Sequence, residues 1–192
     1  MRRDSLMHWV VERILTGLSD RQTISKYAKG SDRYLGVLLI VSAALLGLAI
    51  TQPMITTMGF VGLEGSYSLL TALPELLKDG QGGLAVLIAV LTIILPILLL
   101  STAFDLWYKH ELADAKFLRK SRLLRQLGRL WLLLLGLVLI AIYYAAQAKG
   151  GTTLHLAVYY LVVSLALQKL VAARLQPLIN AVEFVEIEED MD

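Results

Sequence analysis

The sequence predicts an all-α, polytopic membrane protein with four transmembrane helices and additional amphipathic helices at the membrane interface. Three observations predict this class: the composition, the length of the uncharged runs, and the alternation of basic loops. Of the 192 residues, 57% are hydrophobic and 18% are charged, and the mean hydropathy is +0.65. A soluble domain carries about 25% charged residues. The chain has no cysteine, which excludes disulfides and thiol chemistry.

Four uncharged runs are long enough for a bilayer-spanning helix of about 20 residues, and they place the spans at about 34–52, 82–104, 130–148 and 152–168. Residues 1–33 form an N-terminal amphipathic segment, with an inner-surface helix expected in DSLMHWVVERILTGLSD, and residues 169–192 form an acidic tail. PMITTMGFVGL, which begins at Pro53, is predicted to be an exit turn and an interfacial loop. AKGGTT between the last two spans is predicted to be a tight turn.

Lysine and arginine alternate between the segments outside these spans. From the N-terminus the counts are seven, one, seven, one and two, which accounts for all 18 basic residues. By the positive-inside rule, both termini and the central loop are cytoplasmic. The first apolar run begins only after residue 33 and is as long as a full span, so we expect it to stay in the membrane as an anchor. The predicted location is the bacterial inner membrane.

The run LTIILPILLL places Pro96 inside the second span. Proline removes a backbone hydrogen bond and crowds the carbonyl four residues back, that of Thr92, at roughly 3 kcal/mol in a helix interior. Neighbouring helices and hydroxyls can satisfy such a carbonyl in a bundle, and those of Thr92, Ser101 and Thr102 are near in sequence. The sequence leaves open a passive kink or a hinge beside a groove. Together with Pro53, these are the candidate hinge or lipid-groove residues.

Two segments between the spans are amphipathic. SYSLLTALPELLKDGQGG, residues 66–83, has leucines at helical spacing on one face and predicts a short helix in the outer interface. The central loop, YKHELADAKFLRKSRLLRQLGR, is basic and suits anionic headgroups at roughly 1 kcal/mol per residue. Its membrane-surface basic residues are Lys116, Arg119, Lys120, Arg122, Arg125 and Arg129. A plain re-entry loop and a simple topology signal are the respective alternatives.

The predicted spans contain no ionisable residue, which argues against an ion-coupled pump acting alone. The topology separates His155 at the outer side from His8 and His110 at the inner side, so no shared metal centre is expected, and His155 is expected to be a polar interface residue. Phosphate-loop, nucleophile-elbow and zinc-protease motifs are missing. We therefore expect a non-enzyme without cofactor, metal or nucleic acid. Ala43 and Gly47 form a small-xxx-small pair that predicts close helix approach.

The order of four motifs resembles the paraquat-inducible protein A family of bacterial inner-membrane proteins built from four-helix modules. The motifs are QPMI, SYSLLTALPELLKDG, LAVLIAVLTIILPILLL and LLRQLGR, and the resemblance covers residues 34–139. Two positions depart from it: Leu99 stands where the family often has lysine, and LWLLLL follows the third-span entry in place of a polar motif. The zinc-ribbon cysteines of larger members are missing as well.

The resemblance implies an inner-membrane subunit of an intermembrane lipid transport system that works with a periplasmic partner containing a mammalian-cell-entry (MCE) domain. On that hypothesis, membrane lipids are the cargo, and the module pairs with itself or with another module. The alternative is a non-catalytic accessory or structural subunit of a larger membrane protein complex, for which the acidic tail and amphipathic segments offer docking surfaces.

Overall fold

The computed structural model describes residues 23–28, 30–60, 63–110, 115–147 and 153–189. The elements in chain order are α1 (Ile24–Tyr27), a 3-10 turn (Gly30–Tyr34) that leads into α2 (Leu35–Thr51), β1 (Ile55–Phe60), β2 (Leu63–Tyr67), α3 (Leu69–Lys78), α4 (Gly82–Lys109), α5 (Ala115–Gln147), β3 (Thr153–Leu154) and α6 (Leu156–Glu189). Within α4, Val90–Ile94 and Asp105–Lys109 are π-helical.

Among the described residues, four helices are long and apolar enough to cross a membrane. These segments are Gly30–Thr51, Gly82–Lys109, Lys116–Ala141 and Leu156–Ala181. Each overlaps one of the four spans that the uncharged runs predict, and the chain alternates in direction from each to the next. The strands lie at one end of the bundle, which we call the sheet end. The other end holds Lys109 and the first turns of α5, and we call it the basic end.

Two helices extend more than ten residues beyond their predicted spans. The third helix starts at Ala115 instead of residue 130, so the basic segment before the span is its first part. The fourth continues to Glu189, through most of the predicted tail. Charged residues end the apolar run, but the helix continues because side chains of both extensions pack into one core. These side chains include Phe117 and Leu124 from α5 and Leu175 and Ile179 from α6. Residues 1–22, 148–152 and 190–192 lie outside the described residues, with most of the predicted N-terminal segment and tight turn.

A three-stranded antiparallel sheet, in the order β2-β1-β3, corrects the prediction of an all-α fold. The segment predicted to be a loop instead forms β1 and part of β2. Ile55 pairs with Tyr67 on one side and with Leu154 on the other. The β-branched residues Ile55, Thr56 and Thr57 favour extended backbone. Gly65 at φ 120° adopts a conformation that L side chains rarely take.

The core of the bundle is built mainly around α6, which packs along α2 and α5. Two of the described glycines lie where helices approach closely, but Gly47 of the predicted pair is not one of them. A Cβ on Gly36 of α2 would collide with the rings of Trp107 and Tyr108 on α4, and one on Gly128 of α5 would lie 3.1 Å from Gln176 Nε2 on α6. A Cβ on Gly47 would meet nothing within 4 Å. The prediction of close approach through Gly47 is therefore wrong.

Candidate functional site

Two adjoining apolar cavities lie in the half of the bundle near the sheet end. The first has a volume of ≈ 200 Å³ and lies beneath the sheet, between α3, α4, α5 and α6. The second has a volume of ≈ 290 Å³ and lies between α4 and α5. Their common wall consists of Leu76, Ile88, Thr92, Val138 and Ala141. We call the two cavities together the lateral cleft.

The lateral cleft exists because α4 and α5 approach each other closely in only one half of their length. Their contacts are concentrated on Leu95–Phe104 and Asp105–Lys109, toward the basic end. Toward the sheet end, the space between them is lined by Leu84 and Leu87 of α4 and by Leu137 and Tyr144 of α5. The cleft therefore opens sideways, toward the surface that would face lipid.

Pro96 marks the change from the separated to the packed half of α4. The π-helical turn Val90–Ile94 comes immediately before it, and the Leu95 N–H donates to the Val90 carbonyl, five residues back. A wider turn relieves the crowding between a proline ring and the carbonyl four residues earlier. The irregularity expected at this proline is therefore a π-bulge, and it lies where Thr92 borders both cavities.

The hydroxyls near Pro96 donate to carbonyls other than the Thr92 carbonyl, which the sequence suggests as their acceptor. Thr92 Oγ1 donates to the Ile88 carbonyl at 2.7 Å. Ser101 and Thr102 both donate to the Leu98 carbonyl, at 3.0 Å and 2.7 Å. For these three hydroxyls, the acceptor is therefore the Ile88 or the Leu98 carbonyl. Of these three residues, only Thr92 contributes to the lateral cleft.

The amphipathic segment after the sheet is a helix, as the leucine spacing predicts. Ser68 caps α3: its side chain accepts from the Thr71 N–H, and the Thr71 hydroxyl accepts from the Ser68 N–H. This arrangement satisfies donors that the first turn leaves free. Leu69 and Leu76 of α3 are buried and form part of the cleft lining. The helix therefore covers the lateral cleft at the sheet end.

Charged residues on α3 lie outside the cleft. Lys78 Nζ donates to Glu75 Oε2 at 2.8 Å, and this hydrogen bond raises the pKa of the Lys78 amino group above its ordinary value. The cleft itself is apolar, and the hydroxyls of Ser68 and Thr92 in its lining both take part in hydrogen bonds of their own helices. The site can therefore accommodate hydrocarbon without leaving a polar group unpaired at those two positions.

His155 connects the sheet to the start of α6. Its Nε2 shares a hydrogen bond of 2.7 Å with Thr56 Oγ1 of β1, and its backbone N–H donates to the Met54 carbonyl at 2.9 Å. Met54 and Leu154, on either side of this connection, line the first cavity. His155 thus holds together the sheet-end rim of the cleft. Pro53 is exposed just before Met54 and does not line the cleft.

The six predicted membrane-surface basic residues do not form one patch. Lys120 makes an ion pair with Asp105 of α4, and Arg125 donates to Asn180 Oδ1 of α6 at 3.1 Å. The other four are exposed on α5: Lys116, Arg119, Arg122 and Arg129. Lys120 and Arg125 therefore join helices at the basic end, and the assignment of the six residues to the membrane surface stays a prediction.

A buried polar cluster lies in the middle of the bundle. It consists of Ser42 on α2 with Ser164 and Gln168 on α6, all fully buried, and Trp131 of α5 donates from Nε1 to the nearby Leu165 carbonyl at 2.9 Å. Mild polar residues inside predicted spans are a signal of helix contacts, but their partners cannot be known before the helices are placed.

Within the described ranges, no group of three or more histidine, aspartate or glutamate side chains is placed to hold a metal ion. Comparison of the chain with protein-family models, with curated proteins and with solved structures finds no significant match. The resemblance to the paraquat-inducible protein A family therefore depends on the quoted motifs alone.

Proposed function

We propose that this chain is a bacterial inner-membrane protein that binds a lipid acyl chain in the lateral cleft, as a subunit of an intermembrane lipid transport system. The observation that carries the proposal is the lateral cleft itself. An acyl chain needs a narrow apolar site with access from the side, and the two adjoining cavities between α4 and α5 have both properties. Ligand sites are mostly apolar concavities between helices in proteins of this type.

The site is suited to the hydrocarbon of a lipid more than to its headgroup. Most of its wall consists of leucine, isoleucine, valine and alanine side chains, and burial of a methylene group is favourable by about 0.8 kcal/mol. Tyr144 stands at the lateral opening with an exposed ring. A headgroup would remain outside, near Tyr144, while the tail occupies the cleft.

Native mass spectrometry in mild detergent tests this function directly. The protein is expected to carry phospholipid, and Ala141→Phe is expected to reduce the bound fraction, because Ala141 lines both cavities. Leu139→Phe is the matched control, since Leu139 is exposed on the same helix and lines neither cavity. Lipid-free wild-type protein, together with unchanged outer-membrane permeability in a deletion strain, would reject the proposal.

The proposed orientation places the basic end and both termini in the cytoplasm and the sheet end in the periplasm. The alternation of basic segments supports it. Because the chain has no cysteine, single cysteines introduced at exposed Glu64 and Lys109 can be labelled without background. A membrane-impermeant maleimide should label Glu64→Cys from the periplasm and Lys109→Cys only after the inner membrane is opened. The reverse pattern would overturn the orientation.

The proposed partner is a periplasmic protein with an MCE domain, which the family resemblance suggests. In the proposed orientation, the sheet and α3 are the parts of the described chain that such a partner meets. A photo-crosslinking residue at Glu64 should then capture the MCE-domain protein. Capture of a different complex with fixed stoichiometry would instead favour the second candidate, an accessory or structural subunit.

One structural feature favours that second candidate. The extensions of α5 and α6 at the basic end contribute buried side chains to the core, such as Phe117 and Leu175, and they also present an exposed charged surface. A surface of this kind suits a cytoplasmic protein partner. Crosslinking from Arg174, which is exposed on α6, separates this possibility from the lipid-transport proposal.

A further inference from the structure

We propose that Arg119, Arg122 and Arg129 form a binding surface for the headgroups of anionic phospholipids in the leaflet at the basic end. We call these three residues the arginine face. This site is separate from the lateral cleft: it binds lipid that surrounds the protein, in the opposite half of the bundle. The proposal therefore does not depend on a role in lipid transport.

The first argument is the way in which the structure divides the basic residues of α5. Lys120 is paired with Asp105, and Arg125 with Asn180, so both side chains serve contacts with α4 and α6. The three arginines of the arginine face are exposed. The first part of α5 therefore uses Lys120 and Arg125 in contacts with other helices and leaves the arginine face exposed.

The second argument is the direction in which the arginine face points. Arg119 is followed at intervals of eleven, seven and seven residues by Leu130, Leu137 and Tyr144, which are all exposed apolar or aromatic residues. Such intervals are close to whole numbers of turns at 3.6 residues per turn. Arg122 and Arg129 continue in the same way to the exposed Ile140. The arginine face therefore lies on the side of α5 that would contact lipid.

The third argument is the position of Arg122 and Arg129 along the axis of α5, relative to the headgroup region of the bilayer. Arg129 directly precedes Leu130, where the apolar part of α5 begins, and Arg122 lies about 10 Å farther along the axis at 1.5 Å per residue. The headgroup region on each side of the hydrocarbon core is roughly 5–8 Å thick. With the length of an arginine side chain, both guanidinium groups reach phosphates there. Arginine binds phosphate in a bidentate fashion.

A competing occupant is present on the same chain. Trp131 contacts Leu165 and Arg125 contacts Asn180, so α5 and α6 run antiparallel. The last part of α6, with Glu183, Glu186, Glu188 and Glu189 in its sequence, therefore runs along α5 toward the start of α5. Pairing of these acids with the arginine face would replace lipid. The exposure of the arginines and their continuity with the lipid-facing residues favour the phospholipid.

The test uses full-length protein in phosphatidylcholine bilayers with spin-labelled phosphatidylglycerol or spin-labelled phosphatidylcholine as the probe. Wild-type protein should prefer phosphatidylglycerol, and 1 M salt should weaken the preference because it shortens the Debye length to about 3 Å. Arg122→Gln and Arg129→Gln should each lower the preference about fivefold, the fold-change that corresponds to ~1 kcal/mol per basic residue near the surface. Arg174→Gln, which removes an exposed arginine from α6, should leave it unchanged.

Three outcomes would overturn the proposal. The first is the absence of a preference in the wild type, and the second is an equal loss with Arg174→Gln, which would indicate diffuse attraction only. The third is a preference that emerges only when the four glutamates are changed to glutamine, since the acids would then occupy the arginine face. Unchanged thermal stability of the exposed arginine variants serves as the folding control.

Discussion

Ser42 of α2 and Ser164 of α6 donate hydrogen bonds to each other's backbone carbonyls. Ser164 Oγ lies 2.8 Å from the Ser42 carbonyl, and Ser42 Oγ lies 3.1 Å from the Ser164 carbonyl. Both residues are fully buried, and Gln168 Nε2 donates to Ser164 Oγ at 3.2 Å. A hydroxyl in apolar surroundings needs such partners. The pair therefore links α2 and α6, which pack against each other more extensively than any other two elements of the described chain.

Replacement of Ser164 by alanine should destabilise the protein by about 1–2 kcal/mol. The change removes one interhelical hydrogen bond and also leaves the buried Gln168 amide without its acceptor. Unfolding in mixed detergent micelles measures the effect. Ser101→Ala is the control, because Ser101 is exposed and donates only within its own helix. Equal effects of the two substitutions would argue against a structural role for the serine pair.

Gly36→Ala should lower stability by about 1–3 kcal/mol, the usual cost of overpacking. The added Cβ would lie 2.8 Å from Trp107 Nε1 and would also collide with the Tyr108 hydroxyl. Trp107 is fully buried, so its ring cannot move aside freely. Gly47→Ala is the matched control on the same helix, where nothing lies within 4 Å. It should be neutral or stabilising by up to ~1 kcal/mol. Thermal unfolding in detergent distinguishes the two glycines.

Pro96→Ala should leave the protein as stable or more stable while reducing lipid binding. Alanine has a backbone N–H and no ring, so the π-helical turn before residue 96 can become regular α-helix. A regular α4 would move Thr92 and Ile88, which line both cavities, and narrow the lateral cleft. Thermal stability, bound lipid by native mass spectrometry and outer-membrane permeability provide the three measurements.

The control for this substitution is Pro74→Ala, because Pro74 is exposed on α3 and lines neither cavity. It should change lipid binding little. If Pro96→Ala retains both stability and full lipid binding, Pro96 is a feature of packing alone, and the proposed link between the π-helical turn and the cleft is lost.

The ion pair between Asp105 and Lys120 should contribute about 0.5–1 kcal/mol, because both side chains are about 30% exposed and are screened by solvent. A double-mutant cycle with Asp105→Asn and Lys120→Gln measures this coupling. High salt should reduce it. A parallel cycle with Arg119→Gln in place of Lys120→Gln should give no coupling. Coupling of equal size in both cycles would mean that Asp105 responds to net charge instead of a specific partner.

The helices could be predicted from the sequence because their signals are local. The uncharged runs identify four spans, and leucine spacing identifies α3. The ends of α5 and α6 could not be predicted in this way. Charged residues such as Arg129 and Lys169 end a hydropathic run, yet each helix continues because side chains of its extension, such as Phe117 on α5 and Leu175 on α6, are buried in the core. Likewise, β1 becomes the central strand of a sheet only when Thr153 and Leu154, far along the chain, come beside it.

The candidate site depends partly on local sequence signals and partly on contacts between distant segments of the chain. Proline, threonine and the apolar run around residue 96 are visible in the sequence and predict a candidate site there. The cleft is not visible, because its walls come from Leu76, Ile88, Val138 and Val158 on four different helices. The serine pair is a similar case, since its two members are separated by 122 positions.

The sequence by itself determined which segments are apolar enough to cross a membrane, that basic residues alternate between the segments outside the predicted spans, and that residue 96 interrupts regular α-helix. Each of these properties depends on composition or on the covalent structure of one residue. The tertiary structure decided where α4 and α5 separate, which basic residues are used in helix contacts and which remain exposed, and which glycine is closely packed. The physical reason is that burial, hydrogen bonding and steric contact depend on distances between groups remote in sequence, and these distances exist only after the helices pack.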